Sequence, residues 1–302
     1  MKPLLRNLSG LLRTLRPKQW TKNVFIFAAL LFDQKLANWP LLLNTIAAFF
    51  LFCLVAGTVY VINDLADLEK DKQHPKKCKR PLPSGQLAPR FAIAGVVVIL
   101  AVSLPLSYLL HPAFAALVLG YFLLNVAYSF WLKHMVIIDV MVVASGFVLR
   151  VVAGVVMAQA ERFSPWLYVC TIFLALFLSI GRRRHEMLLL ADGANSHRRI
   201  LDEYSIPFLD QMTIVVMTGA LISYTLYTAT APNLPCNHGM LLTIPFVIYG
   251  LFRYLYLVQI RGEGGAPEDL LFTDRPFLAD VLLWGVAVIL VMYVFRAPPC
   301  PS

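Results

Sequence analysis

Nine runs of about twenty mostly apolar residues, separated by short charged segments, dictate what this chain can become. They cover about 20–37, 41–63, 91–110, 113–131, 136–157, 165–181, 208–228, 240–258 and 277–296. Only 14% of the 302 residues are charged and 59% are hydrophobic, where a soluble domain carries about 25% charge. A single water-soluble core of this length cannot hide that much apolar surface; a bilayer accepts it. Within lipid each backbone N–H and C=O must be bonded inside its own segment, so helices are expected. The expected fold is all-α: one polytopic membrane domain spanning 1–302, a nine-helix bundle. The first run is the weakest of the nine, with a clean apolar core only over Val24–Phe32.

Lysine and arginine set the direction of such a bundle. Six lie before or at the start of the first run (Lys2, Arg6, Arg13, Arg16, Lys18 and Lys22). Seven lie between the second and third (Lys70, Lys72, Lys76, Lys77, Lys79, Arg80 and Arg90), and five between the sixth and seventh (Arg182, Arg183, Arg184, Arg198 and Arg199). The alternate loops hold Lys35, Arg162 and, between Thr228 and Met240, no basic residue. A cytoplasmic N-terminus in the cell membrane follows, and nine spans put the C-terminus outside. Residues 1–16 carry Leu4, Leu5, Leu8, Leu11, Leu12 and Leu15 at helical spacing with arginines between, the pattern of an amphipathic helix lying in the inner interface. No small-residue cleavage site follows the first apolar run, so the N-terminus is not read as a cleavable signal. The tail, 297–302, reads as flexible. The net charge of +9 sits between apolar runs, which suits anionic headgroups or a phosphorylated substrate rather than nucleic acid. Five scattered cysteines form no CxxC pair and support neither zinc nor a disulfide framework.

The most informative segment closes the second run: Tyr60-Val-Ile-Asn63-Asp64-Leu-Ala-Asp67-Leu-Glu69-Lys70-Asp71. On a continuous helix, at 100° per residue, Asp64 and Asp71 lie within about 20° of each other and Asp67 about 60° away; Tyr60 shares that side and Glu69 points away. Three carboxylates on one stripe repel unless a cation joins them. Oxygen-only donors and substrate phosphates are the company Mg2+ prefers. A magnesium–diphosphate site held by Asp64, Asp67, Asp71 and Asn63 is expected. The alternative is a solvated acidic trio balanced by Lys70, Lys72 and the basic run after them. Within that run Arg80, just before Pro81-Leu82-Pro83-Ser84-Gly85, and with it Lys76 and Lys77, are candidates for phosphate contact, and no G-x-x-x-x-G-K-[ST] loop occurs.

At these residues the chain resembles the UbiA superfamily of intramembrane prenyltransferases. The Asn-Asp-x-x-Asp-x-x-x-Asp motif, the Arg80-Pro81 turn and the opening Arg16-Pro17-Lys18-Gln19-Trp20-Thr21-Lys22-Asn23 carry the likeness. Ordinary members have a second D-x-x-x-D motif after the sixth span; here the sequence is Ser179-Ile-Gly-Arg182-Arg183-Arg184-His185-Glu186. Basic groups replace the acid pair. That departure resembles the branch that transfers phosphoribose to decaprenyl phosphate for cell-wall arabinan synthesis. Trp131-Leu-Lys133-His134, Arg150-Val-Val-Ala-Gly154, Arg253-Tyr254 and Gly264-Gly-Ala-Pro-Glu268-Asp269 with Asp274-Arg275 support the same branch.

The resemblance implies a Mg2+-dependent transferase acting on phosphoribosyl pyrophosphate and a polyprenyl (decaprenyl) phosphate in membrane lipid; a homo-oligomer is compatible with it. One diphosphate needs one metal–carboxylate site, and the remaining phosphates need cations, for which Lys18, Lys22, Arg80, Lys133, Arg182 and Arg183 are available. Glu186, three and four residues beyond Arg183 and Arg182, is placed to orient them. Asp139 stands near the inner end of the fifth run and is a candidate for the polar site, while Arg150, deeper, reads as a structural pairing. Tyr128 and Tyr254 are candidate phosphate donors or interfacial aromatics. Two rivals remain: an ordinary UbiA-type prenyltransferase with a prenyl diphosphate donor and an aromatic acceptor, and a membrane transporter.

Overall fold

Proline opens most of the long helices, where its missing N–H and fixed φ cost nothing. Pro40, Pro89, Pro112, Pro207, Pro245 and Pro276 all stand in first turns. Caps reinforce the starts: Asn38 accepts from Leu41 N, Ser205 from Phe208 N and Asp274 from Phe277 N. The computed structural model describes residues 2–73, 77–160, 164–191, 199–232, 234–235, 237–263 and 267–295, with backbone alone at 2–3, 189–191, 199 and 267–269.

Among the described residues the elements are α1 (Lys2–Thr14), a 3-10 helix (Pro17–Phe27) running into α2 (Ala28–Phe32), α3 (Trp39–Ala66), α4 (Leu68–Gln73), α5 (Pro89–Leu110), α6 (Pro112–Phe130), α7 (Ile138–Met157), α8 (Pro165–Ala191), α9 (Ile206–Thr230), α10 (Ile244–Gln259), α11 (Pro267–Thr273) and α12 (Arg275–Ile289). Eight segments are long and apolar enough to cross a bilayer: α3, α5, α6, α7, α8 through Leu188, α9, Gly239–Gln259 and Arg275–Val294. The chain is an all-α, multi-pass membrane protein. Serine and threonine hydroxyls inside the spans bond to carbonyls one turn back, as Thr45 to Leu41 and Thr213 to Leu209 do.

The first expected span, 20–37, is not a full-length α-helix, and this corrects the sequence reading. Eleven residues wind as 3-10 helix and five as α-helix. The wider 3-10 rise of about 2.0 Å gives this stretch roughly 30 Å of length, near the hydrocarbon thickness. It runs alongside α7. Arg150 Nε donates to Asn23 Oδ1 at 2.6 Å, Ile26 O lies against Gly154, and Lys35 Nζ donates to Ala158 O at 3.2 Å and Gln159 O at 2.7 Å beyond the far end of α7. Sixteen residues thus cover the depth that α7 covers in twenty.

Arg150 is buried, as its depth required. Its guanidinium also donates to Gly146 O at 2.6 Å and Tyr121 Oη at 2.9 Å and lies over the Phe52, Tyr121 and Phe147 rings. On the other half of the bundle, Arg184 ties α8 to Asp210 of α9 and to Val258 O of α10. Helix α1 and the turn after it pack Leu11 and Leu15 against Val61, Leu87 and Val96, and the helix leaves Leu4, Leu5, Leu8 and Leu12 exposed.

Candidate functional site

The acidic segment does not continue as one helix. α3 ends at Ala66 and Asp67 stands as its cap in a non-helical conformation, after which α4 begins at Leu68. The break reorganises the expected stripe. Asp64 and Asp71 are buried, each 2% exposed, and share Arg80, whose Nη1 reaches Asp64 Oδ1 at 3.2 Å and Asp71 Oδ2 at 2.7 Å. Arg16 Nη2 holds the same Asp64 oxygen at 2.6 Å, and Lys77 Nζ approaches Asp71 Oδ1 at 3.7 Å. Asp67 turns aside to Lys133 Nζ, at 3.0 and 3.2 Å. Among the described residues no three acids converge on one point, so the expected triple-carboxylate cluster is corrected to a pair plus one. Asn63 is half-buried in the last turn of α3. Glu69 faces outward, as its azimuth required, and pairs with Lys72 at 2.7 Å.

Arg16 was counted only toward orientation and the opening motif, yet it belongs to this tip. Its backbone adopts φ 52°, the left-handed region, immediately before Pro17, and its guanidinium lies 4.8 Å over the Tyr60 ring. Strain of this kind persists only where surrounding contacts hold it. Lys18 is exposed, and Lys76 lies outside the described residues, as do the side chains of Glu268 and Asp269.

A second charged group forms where α6, α7, α8 and the segment before α9 meet. Arg183 is 4% exposed; its Nη2 lies 2.8 Å from Asp139 Oδ2, its Nη1 meets Glu186, and Tyr128 bonds to it. Asp139, fully buried, also accepts from Tyr204 Oη at 2.7 Å, and that phenol accepts from Ile137 N at 2.7 Å. Burial, then the hydrogen bond to the Asp139 carboxylate, pushes the Tyr204 phenol up to about 12. Ile137 adopts φ 67°, an outlier for a β-branched residue. Tyr204 gave no sequence signal, being one tyrosine in a loop. Arg183 is thus held by two acids, and both it and its neighbour Arg182 line a cavity.

That cavity, about 450 Å3, runs from the basic groups into the bundle. Lys22, Arg182 and Val140 stand at one end; Leu167, Phe32 and Trp284 stand at the other. Leu167 and Arg182 are fifteen residues apart on α8, about 22 Å at 1.5 Å per residue. The walls are mainly apolar, from α7, α8, α10, α12 and the 3-10 segment. Tyr254, proposed from sequence as a phosphate donor, is 2% exposed and packs on Phe177 within this wall. One lone acid inside a span, Asp280, also lines the cavity. The sequence displayed it plainly, since a charge inside a span is costly unless it faces a cavity or a partner.

The sequence and the fold have counterparts among known proteins. The family model for the UbiA prenyltransferase family matches residues 23–273. A decaprenyl-phosphate phosphoribosyltransferase of Corynebacterium glutamicum is 33% identical over 292 residues, covering 94% of this chain and 87% of that protein. One of Mycobacterium tuberculosis is 30% identical over 284 residues, covering 93% of each. Among solved structures, a UbiA homolog from Archaeoglobus fulgidus bound to DMAPP and Mg2+ superposes with a TM-score of 0.72 at 20% identity, over 94% of this chain and 99% of that one. The chain belongs to the UbiA prenyltransferase family.

Proposed function

We propose that this protein is a Mg2+-dependent phosphoribosyltransferase that moves 5-phosphoribose from phosphoribosyl pyrophosphate to a polyprenyl (decaprenyl) phosphate and releases pyrophosphate. The observation that carries the reading is the asymmetry of the charged ends: one acidic tip on α3 and α4, faced by cations rather than by a second acidic motif on α8. Relatives spanning nearly the whole chain carry that activity in their names.

The tip fits a hard divalent ion. One nitrogen of Arg80 already bridges Asp64 and Asp71, a cation standing between two oxygen donors. Mg2+ commonly takes one or two carboxylates and completes its shell with water and substrate phosphate. Asp64 and Asp71 would hold it, with Asp67 and Asn63 beside them. When bound, the ion neutralises charge on the departing pyrophosphate. Arg80, Lys77, Arg16 and Lys133, which balance the carboxylates in this structure, then have phosphate oxygens as alternative partners. Lys22 and Arg182 bind the acceptor phosphate at the cavity mouth, and the apolar cavity takes the lipid tail. Arg183, fixed by Asp139, Glu186 and Tyr128, orients this basic wall. In the transfer the bond from the anomeric carbon to the diphosphate oxygen breaks, its electron pair leaving with pyrophosphate. A phosphate oxygen of the lipid forms the new bond on the opposite face. The acceptor is already an anion near neutral pH, so no strong general base is needed.

The lysine and arginine bias places the acidic tip at the cytoplasmic face, where a soluble charged donor is available. Nine passages, counting the 3-10 segment, then put the C-terminus outside. Helix α1, with four leucines exposed, lies in the inner interface.

Purified protein given labelled phosphoribosyl pyrophosphate, decaprenyl phosphate and Mg2+ should form a lipid-linked phosphoribose. Absence of that product, with turnover of a prenyl diphosphate and an aromatic acceptor instead, would transfer the protein to the ordinary prenyltransferases.

A further inference from the structure

The link between α6 and α7 touches both charged groups. Lys133, on the 3-10 turn Leu132–His134, is 7% exposed and reaches Asp67 Oδ1 at 3.0 Å and Oδ2 at 3.2 Å. Asp139, in the first turn of α7, holds Arg183 Nη2 at 2.8 Å. Glu186 sits on the same helix as Arg183, so Asp139 is what ties the guanidinium to α7.

Between Lys133 and Asp139 the backbone makes a γ-turn of the rare positive-φ form. Ile138 N donates to Val136 O at 2.8 Å, with Ile137 between them at φ 67° and ψ −43°. That form is strained, and a β-branched side chain adds to the strain. The Ile137 side chain is 40% exposed, so burial does not hold it. Tyr204 does. Its Oη accepts from Ile137 N and donates to Asp139 Oδ1, each at 2.7 Å. The phenol is itself anchored: the segment before it buries Ile200 and Leu201 among Leu209, Leu257 and Leu270, and its ring stacks on Phe208.

We infer that Tyr204 is a positioning residue: through the strained turn at Ile137 it keeps Lys133 and Asp139 in register, and with them the donor and acceptor halves of the site. The inference rests on the phosphoribosyl reading above, which gives the donor diphosphate to the tip beside Lys133 and the acceptor phosphate to the wall that Arg183 orients. A turn released from Tyr204 would relax toward negative φ at Ile137. The peptide planes on both sides would rotate, moving the ammonium away from Asp67 and the carboxylate away from Arg183 at once.

Tyr204→Phe keeps the ring and removes both bonds. In purified, folded protein kcat/KM should fall about 10- to 100-fold, the cost of roughly an ångström of misplacement, with KM raised for phosphoribosyl pyrophosphate and for decaprenyl phosphate alike. A residue that only staples the fold would lower the melting temperature and leave both KM values alone. Glycine takes positive φ without strain, so Tyr204→Phe introduced into an Ile137→Gly protein should lose about tenfold less than in wild type, on the order of the strain of one such residue. Equal losses in the two backgrounds, or a KM that rises for one substrate only, overturn the assignment. If Tyr204→Phe does not fold, the turn decides alone. Ile137→Gly should then melt above Ile137→Ala, whose side chain opposes positive φ, and an equal or lower melting temperature refutes the inference. A wild type that makes no lipid-linked phosphoribose is a different failure, that of the phosphoribosyl reading.

Discussion

Gly154→Ala should damage this protein far more than a single methyl suggests. A Cβ at 154 would stand 2.0 Å from Ile26 O, 2.8 Å from Ile26 C and 3.1 Å from Ile26 Cα. Ordinary van der Waals contact begins at 3.4 Å, so the 3-10 segment must retreat by about 1.4 Å. Backbone cannot swing away as a side-chain tip can. The Arg150–Asn23 bond, 2.6 Å long and three residues upstream of Ile26, then stretches toward 4 Å and breaks. Overpacking costs about 1–3 kcal/mol, and a lost hydrogen bond to a charged group about 1.5–3 kcal/mol. Together, without strict additivity, about 2–5 kcal/mol is expected. Thermal unfolding in detergent should show a melting point several degrees lower, and acceptor KM should rise because Lys22 adjoins Asn23. Gly120→Ala and Gly285→Ala are the controls, since nothing lies within 4 Å of a Cβ at either position. A Gly154→Ala protein that melts with those controls would refute the close approach.

Asp67→Ala should abolish turnover while the protein still inserts, and Glu69→Ala, paired only with Lys72 at the surface, should leave kcat within a few-fold; equal damage would reject the assignment of sides. Arg183→Leu strands Asp139, which has no exposure, and should cost about 3–5 kcal/mol in unfolding experiments; double replacement with Asp139→Asn should recover part of it, and no recovery would refute the pairing. The Asp274 carboxyl is held below 3.8, first by its hydrogen bond to Arg253. A lowered carboxylate contributes above its ordinary pKa and fades as pH falls through the lowered value. The contribution of this pair should therefore be lost only as pH falls below the ordinary carboxylate range, and Arg253→Leu should remove that part of the acid response in melting curves; an acid response unchanged by Arg253→Leu would reject it.

Much of the bundle was legible because its signals are redundant. Eight long runs, most of them opened by proline and bounded by lysine and arginine, leave little choice of element. The first run misled because 3-10 winding has no hydropathy signature: Val24–Phe32 is short whichever way it coils. Within the acidic motif, Glu69 faces outward as its azimuth required. The three-acid stripe failed at Asp67, where the helix ends without glycine or proline to announce it. Arg16 and Tyr204 were missed for a different reason. Their partners, Asp64 and Asp139, lie 48 and 65 residues away, and only packing brings them together.

The stretched segment between Arg16 and Lys35 works as a ruler. Its ends are pinned, at Asp64 on one side of the membrane and at the last carbonyls beyond α7 on the other. Rewound as α-helix, eleven residues would shorten by about 5.5 Å, so an α-helical version needs about four more residues to reach both pins. The length of this segment is therefore tuned to its coiling, and a lone insertion or deletion between the pins would shift Lys22 relative to the cavity mouth.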